Sequence, residues 1–204
     1  METLPPKERI LHTAIYLFAR YGFAGTGLRE ITTKAEVNLA MINYFFGSKK
    51  GLLKEIVSEF FMKYLSIARR ELEGVDSLNI KLTRFIRSTV YFFDSERDAL
   101  LVTITELPHD DPEIIEHKAS WARQMALILE KEICRPLEQE TGKEILATCI
   151  GPMLTSLMAS RFLFAPIVDQ VRDNIENPMS LDSYIEMICT LFLQGLITQD
   201  TSVS

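Results

Sequence analysis

Apolar residues in this chain recur at three- and four-residue intervals almost from end to end, and no stretch sustains the residue-by-residue alternation of a strand. Such spacing puts one apolar stripe on each of a succession of helices, and each stripe has to be buried against another helix. The fold class predicted is all-α, with about nine helices. The first is expected at about 7–21 behind Pro5 and Pro6, with Ile10, Ala14, Leu17, Phe18 and Tyr21 on one face and Gly22 as a left-handed stop. Two short helices follow. One lies at about 28–35, behind Gly27 with Glu30 in the capping-box slot; the other lies at about 39–45, capped by Asn38. Ser48 caps a long fourth helix that runs to about Glu73 and stops at Gly74. Later helices are expected at about 77–94, 97–106, 112–140, 143–164 and 180–198. Asp111-Pro112-Glu113 is a strong start signal, while Thr141-Gly142 and Asn177-Pro178 are breaks.

Charge is shared unevenly along this string of helices. The whole chain carries −6, which by itself disfavours nucleic acid. Residues 1–54, however, hold eight basic side chains (Lys7, Arg9, Arg20, Arg29, Lys34, Lys49, Lys50, Lys54) against four acids (Glu2, Glu8, Glu30, Glu36), a net of +4 that leaves −10 for the remainder. A cationic end attracts phosphates while an acidic body turns away from them. Cys134, Cys149 and Cys189 are odd in number and form no CxxC pair, which argues against a disulfide framework or a zinc site. No apolar run reaches the roughly 18 residues that span a bilayer. The N-terminus lacks the basic and apolar regions of a secretory signal. The expectations are a cytoplasmic protein, no membrane partner and no cofactor.

The most informative stretch is Gly25 to Leu53. Two short helices meet there across the joint Glu36-Val37-Asn38, with Leu28, Ile31, Ala35, Val37 and Ile42 able to face inward and fix their crossing. The second of them then exposes Leu39, Ala40, Met41, Asn43 and Tyr44. A helix so apolar is a liability on a free surface and makes sense in a DNA major groove, which admits one helix. The segment resembles the N-terminal helix-turn-helix of the TetR (tetracycline-repressor) family: a Tyr21-Gly22-Phe23 turn, Thr26 at a helix entrance, an Ile31…Ala35-x-Val37 core, and Phe46-Gly47-Ser48-Lys49…Leu52-Leu53. The resemblance covers about the first quarter of the chain. It implies a head at residues 1–54 that binds double-stranded DNA and a helical body at residues 55–204 for effector binding and dimerisation.

The residues placed on DNA are Arg29, Asn38, Leu39, Ala40, Met41, Asn43, Tyr44 and Lys49. Arg29 matches a family position that reaches a base edge, and a guanidinium grips guanine bidentately. Asn43 suits an adenine edge, Leu39, Ala40 and Met41 suit thymine methyls, and Tyr44 and Lys49 suit phosphate. The chain departs from the family pattern at three places: Asn43 where Tyr is usual, Glu36 where Gly makes the turn, and Thr32 where Ala packs. Glu36 implies a strained or less tight joint.

In the body, the last helix is apolar almost all round, so it needs cover on two sides. The residues assigned to a homodimer interface are Leu154, Leu157, Met158, Phe162, Tyr184, Ile188, Leu191 and Phe192. A twofold dimer also suits paired heads on palindromic half-sites. A small apolar or amphipathic effector is expected in a pocket lined by Phe61, Tyr64, Phe85, Thr89, Phe92, Trp121, Met125 and Met153, with Pro152 freeing the Thr148 carbonyl nearby. The rival reading is a metal-dependent or acid–base enzyme built on His109-Asp110-Asp111…Glu113…Glu116-His117, a group without an established ligand spacing.

Overall fold

The computed structural model describes residues 4–105, 111–142, 144–172 and 179–197. Those residues fold almost entirely into helices, with no strand among them: α1 (Pro6–Gly25), α2 (Leu28–Ala35), α3 (Leu39–Phe46), α4 (Lys49–Leu72), α5 (Leu78–Ser95), α6 (Arg97–Thr105), α7 (Pro112–Leu129), a π-turn (Glu130–Cys134), α8 (Arg135–Thr141), α9 (Ala147–Leu163), α10 (Ala165–Arg172) and α11 (Leu181–Ile197). The all-α class expected from periodicity is what the chain adopts. His109, Asp110, Asn177 and Pro178 lie outside the described residues. No single helix among the described residues is long and apolar enough to cross a membrane. The bent pair Ala147–Leu163 and Ala165–Val171 meets the length and composition only when its two arms are taken together.

The helices form two compact units: residues 1–63 with 96–122, and residues 64–95 with 123–204. In the first, α1 packs on α2, α3 and α6. Its core is Ile10, Leu11, Ala14, Leu17, Phe18, Ile31, Ala35, Ile42, Leu52, Leu53, Ile56 and Val57, joined by Val102 and Ile114. These are the stripes that the sequence pattern draws, with one exception. Tyr21, placed on the inner stripe of α1, is 59% exposed at the last position before Gly22, whose φ of 74° interrupts the helix. Helical hydrogen bonding then resumes as far as Gly25, three residues beyond the expected stop at Gly22.

In the second unit, α5 packs on α9 and α11 around Phe85, Ile86, Phe93, Leu154, Met158 and Ile188. Two prolines explain where the structure departs from the sequence expectation. Pro136 has no N–H for the Glu132 carbonyl, and the turn before it widens so that Arg135 N–H reaches the Glu130 carbonyl instead. The predicted helix at 112–140 is therefore α7 and α8 joined through a π-turn. Pro166 cannot continue α9, so the chain bends by 52° and restarts as α10, an element that the apolar spacing does not mark off from a connection. Lys81 and Glu132 form a buried ion pair in this unit, 3.0 Å apart. Burial opposes ionisation of Glu132, but hydrogen bonds from Lys131 and Lys81 outweigh it and hold the carboxyl below its ordinary value.

Candidate nucleic-acid interface

The local chemistry of the head fixes α2 and α3 with little freedom. Asn38 ends its extended backbone by accepting the Met41 N–H on its side-chain oxygen at 3.0 Å, which caps α3. Ahead of it, Glu36 takes the left-handed conformation (φ 54°, ψ 48°) and is the one non-glycine residue with positive φ among the described residues. That is the strained joint expected from Glu in a glycine position. The joint is held on three sides. Glu36 N–H donates to the Thr33 carbonyl, Val37 N–H donates to the Thr32 carbonyl, and Arg9 reaches over from α1 to donate to the Glu36 carbonyl at 3.2 Å. Thr32 is buried, and its hydroxyl is satisfied by the Arg29 carbonyl at 2.9 Å, so the family's small apolar residue is replaced here without an orphaned polar group.

Beyond α3 the chain turns sharply into α4. Ser48 accepts the Gly51 N–H at 3.0 Å. A Cβ at Gly51 would sit 1.9 Å from the Phe46 carbonyl oxygen, so glycine is required for α4 to start this close to α3.

On this frame, α3 buries only Ile42 and turns its remaining surface outward. Leu39 (42%), Tyr44 (83%), Ala40 and Asn43 are exposed, as are Arg29 on α2 and the cap Asn38. These six side chains lie on two adjacent helices of one face-forming motif. Met41 differs: it is half-buried against the head core, so its side chain supports α3 rather than standing free for a base. Phe45, absent from the sequence-derived set, is exposed and meets Tyr44 edge-on with ring centroids 5.0 Å apart. Its signal lies in the apolar run of α3. Lys49 rests its ammonium 4.4 Å from the centre of the Phe23 ring, at the first residue of α4.

The basic excess of residues 1–54 is partly neutralised within the first unit. Lys7 pairs with Glu55, Arg20 with Asp98, Lys50 with Asp111 and Glu113, and Lys54 with Glu113. The Lys50 hydrogen bond holds the Asp111 carboxyl below its ordinary range, and the Lys54 hydrogen bond does the same for Glu113. Arg29 enters no ion pair among the described residues and remains an outward guanidinium.

These pairs also give the described members of the acidic cluster structural partners. Asp111 caps α7 by accepting the Glu113 and Ile114 N–H groups, and His117 Nε2 sits 2.8 Å from Ser58 Oγ and 3.1 Å from the Lys54 carbonyl. The described members of the acidic cluster thus hold α7 to α4. They do not converge, and no group of three or more potential metal ligands occurs among the described residues.

The candidate pocket residues separate between the units. Phe61 and Trp121 stack on each other in the first. Tyr64, Phe85, Thr89, Phe92 and Met125 lie in the second, where Tyr64 stacks on Phe85 and donates or accepts a 3.0 Å hydrogen bond with Thr155. Burial pushes the Tyr64 phenol up to about 12, so it stays neutral. Met153 is 66% exposed and lines no interior.

The residues assigned to a dimer divide in a similar way. Leu154, Met158, Phe162, Tyr184 and Ile188 are all buried within the chain itself and form part of its own core. Tyr184 additionally anchors its hydroxyl on the Leu157 carbonyl and Ser160. Leu191 is 58% exposed, with Leu157 and Phe192 half-buried.

A short capped helix, a tight joint and a second helix presented outward by an α1-backed core define a helix-turn-helix protein. Residues 10–56 match the family model described as bacterial regulatory proteins, tetR family. Over 58 residues the chain is 47% identical to "Probable HTH-type transcriptional regulator YttP" of Bacillus subtilis, covering 28% of each chain. It is 33% identical to the HTH-type transcriptional repressor NicS of Pseudomonas putida over the same length, 28% of this chain and 27% of that one. The matched region thus spans little more than a quarter of the curated relatives. The fatty acid degradation regulator FadR from Bacillus halodurans shares the fold along 98% of this chain and 100% of its own, with a TM-score of 0.74 at 16% identity. Residues 10–56 thus carry the signature of the tetR family, and the helical fold of the chain is shared with FadR along nearly its whole length.

Proposed function

We propose that the protein is a ligand-responsive transcriptional regulator, a repressor in its simplest form, that binds a palindromic operator in double-stranded DNA as a homodimer and leaves it when a small apolar or amphipathic effector binds. Residues 1–54 read the DNA, residues 55–204 bind the effector and the second copy, and the protein acts in the cytoplasm, where the DNA is. The single observation that carries this reading is the outward face of α3. Leu39, Ala40, Asn43 and Tyr44 are exposed on a helix whose start is capped and whose back is anchored by Ile42, an arrangement wasted on water and fitted to a groove.

Exposed apolar side chains on the second unit support the homodimer. Leu191 on α11, Met153 on α9, and Ile167, Val168 and Val171 on α10 form surface that a lone chain leaves wet. They replace the buried residues named from sequence. A role of the regulator FadR in fatty acid degradation accords with an apolar or amphipathic effector for this chain.

Selection of a random DNA library with the purified protein tests the reading and yields the operator. An inverted-repeat motif is expected, bound with affinity that falls steeply with salt. Arg29→Ala combined with Tyr44→Ala is expected to weaken binding to the selected sequence about 100-fold, one base-edge contact and one phosphate contact being lost. Unchanged affinity in a well-folded double variant removes the proposal.

A further inference from the structure

The joint in front of α3 is strained in this chain, and one arginine of α1 is placed to hold it. Glu36 keeps the left-handed conformation at φ 54°. There the Cβ of an L residue crowds the following carbonyl oxygen, a cost that glycine escapes. Two hydrogen bonds of the joint are local: the Glu36 and Val37 N–H groups donate to the Thr33 and Thr32 carbonyls at 3.3 and 3.0 Å. They close the end of α2. The Glu36 carbonyl is served from 27 residues away, by Arg9 Nη2 at 3.2 Å. Arg9 stands in the first turn of α1, where its own N–H donates to the Pro5 carbonyl and the next two residues, Ile10 and Leu11, are buried in the head core. Its backbone is therefore fixed, and its guanidinium ties the joint to the helix that backs the head.

An arginine at the end of a cationic head also suits a phosphate, and the geometry speaks against that use. Nε and Nη2 form one of the edges on which a guanidinium grips an oxyanion with two parallel bonds. Here Nη2 is given to Glu36, and Nε is buried, so that edge is turned into the protein. The bond is to the Glu36 backbone, and among the described residues Arg9 forms no ion pair with the exposed Glu36 carboxylate. We propose that Arg9 is a positioning residue for operator reading: it holds the strained joint, and with it the angle at which α3 meets a groove, and it is needed because residue 36 is not glycine. Contacts to base edges depend on that angle, whereas phosphate contacts carry no sequence information. The proposal rests on the reading of α3 as the helix that enters DNA. In the sequence Arg9 is only one of eight basic side chains, and its meeting with residue 36 is set by the packing of α1 on α2.

Arg9→Met keeps the stem and removes the donors. It is made in the full-length protein in three backgrounds: the parent, Glu36→Gln, which drops the charge and keeps the strain, and Glu36→Gly, which drops both. Anisotropy reads binding to the selected operator and to an unrelated duplex across a salt series, and circular dichroism in denaturant reads folding. In the parent and Glu36→Gln backgrounds Arg9→Met is expected to weaken operator binding about tenfold. Binding to the unrelated duplex and the slope of log affinity against log salt should stay where they were. In Glu36→Gly the same substitution should cost less than about twofold, the mark of two residues that act through one joint. Unfolding midpoints should follow the same order, lowered by Arg9→Met in the first two backgrounds and unmoved in the third.

An equal loss of operator binding in all three backgrounds overturns the proposal, and so does a rescue by Glu36→Gln as full as that by Glu36→Gly, which makes the coupling one of charge. A salt slope shallower by about one marks a lost phosphate contact and overturns it too. So does undiminished operator binding by folded Arg9→Met. If Arg9→Met folds only in the Glu36→Gly background, that rescue is itself the coupling and supports the proposal, while failure to fold in all three overturns it. A parent protein that selects no DNA sequence removes the reading of the chain as a DNA-binding regulator, and the unfolding midpoints then decide by themselves whether Arg9 holds the joint.

Discussion

The head and the α9–α11 region carry the same kind of apolar pattern, and that pattern means different things in each. In the head, the residues expected inside are buried or half-buried apart from Tyr21, and most of those expected outside are outside. In α9 and α11, five of the residues assigned to a partner are buried in the chain's own core, while exposed apolar surface falls on Met153, Leu191 and the unforeseen α10. The head is specified by local rules, namely a cap, a joint and a glycine that lets two helices touch. The body helices are apolar on several faces, and sequence spacing cannot say which face meets its own protomer.

The largest expected effect separates a buried charge from an exposed one. Lys81→Met leaves Glu132 buried without its partner from α5, and unfolding should become easier by about 3–5 kcal/mol. Lys131, 2.9 Å from Glu132, favours the lower end of that range. Folding with Glu132 lowered in pKa contributes stability that is present above the unfolded carboxylate value of about 4.3. It is lost as pH falls through the lower folded value. Denaturation of the parent from pH 7 downwards should therefore show this loss only below the ordinary carboxylate range. In Lys81→Met burial is less well opposed, so the loss should begin at higher pH. Identical acid profiles contradict the assignment.

Next comes a direct contrast within the body. Met158→Ala empties a fully buried position and should cost about 2–5 kcal/mol in denaturant unfolding. Leu191→Lys changes an exposed one and should leave the protomer's stability within about 0.5 kcal/mol. If Leu191 faces a second copy, Leu191→Lys shifts the sedimentation profile towards monomer. A stable Met158→Ala protein that has lost only dimerisation returns Met158 to the interface that sequence spacing draws.

How much was legible follows from the same division. The boundaries of α2 and α3, the Asn38 cap, the Ser48 cap and the strained Glu36 were readable because each depends on residues within a turn or two. The face of Met41 was not, since its burial depends on packing against the α1-backed core. The charge of the head is right in sign from sequence and overestimated in availability: Lys7, Arg20, Lys50 and Lys54 find acids at positions 55, 98, 111 and 113, outside the segment that carries the basic excess. Pro136 and Pro166 are plain in the sequence, yet their consequences, a π-turn and a bend, depend on how the helix around each is held.

A smaller effect is expected at Gly51. Its alanine variant puts a Cβ against the Phe46 carbonyl oxygen, so α4 has to shift at its first turn. About 1–3 kcal/mol of unfolding stability should be lost, the usual cost of forcing a group into occupied space. DNA affinity should fall with it, because the same turn sets the end of α3. A fully stable Gly51→Ala protein shows that the α3–α4 corner yields, and the head is then less rigid than its caps imply.

The smallest change gives the sharpest test of the head, because Asn38 has two separable attributes. Its side-chain oxygen caps α3, and its exposed position puts it at the end of the helix assigned to the groove. Asn38→Ala removes the cap and should cost about 1 kcal/mol. Asn38→Ser and Asn38→Asp both keep a capping oxygen, and the carboxylate also suits a helix N-terminus, so neither should lower stability by more than a few tenths of a kcal/mol. On DNA the two must part. Serine leaves the local field unchanged and should bind nearly as the parent does. Aspartate brings a negative charge to a polyanion and should weaken binding about tenfold, most strongly at low salt. If Asn38→Asp and Asn38→Ser bind the selected operator alike while both remain folded, the start of α3 does not approach DNA, and the reading helix has to be sought elsewhere in the chain.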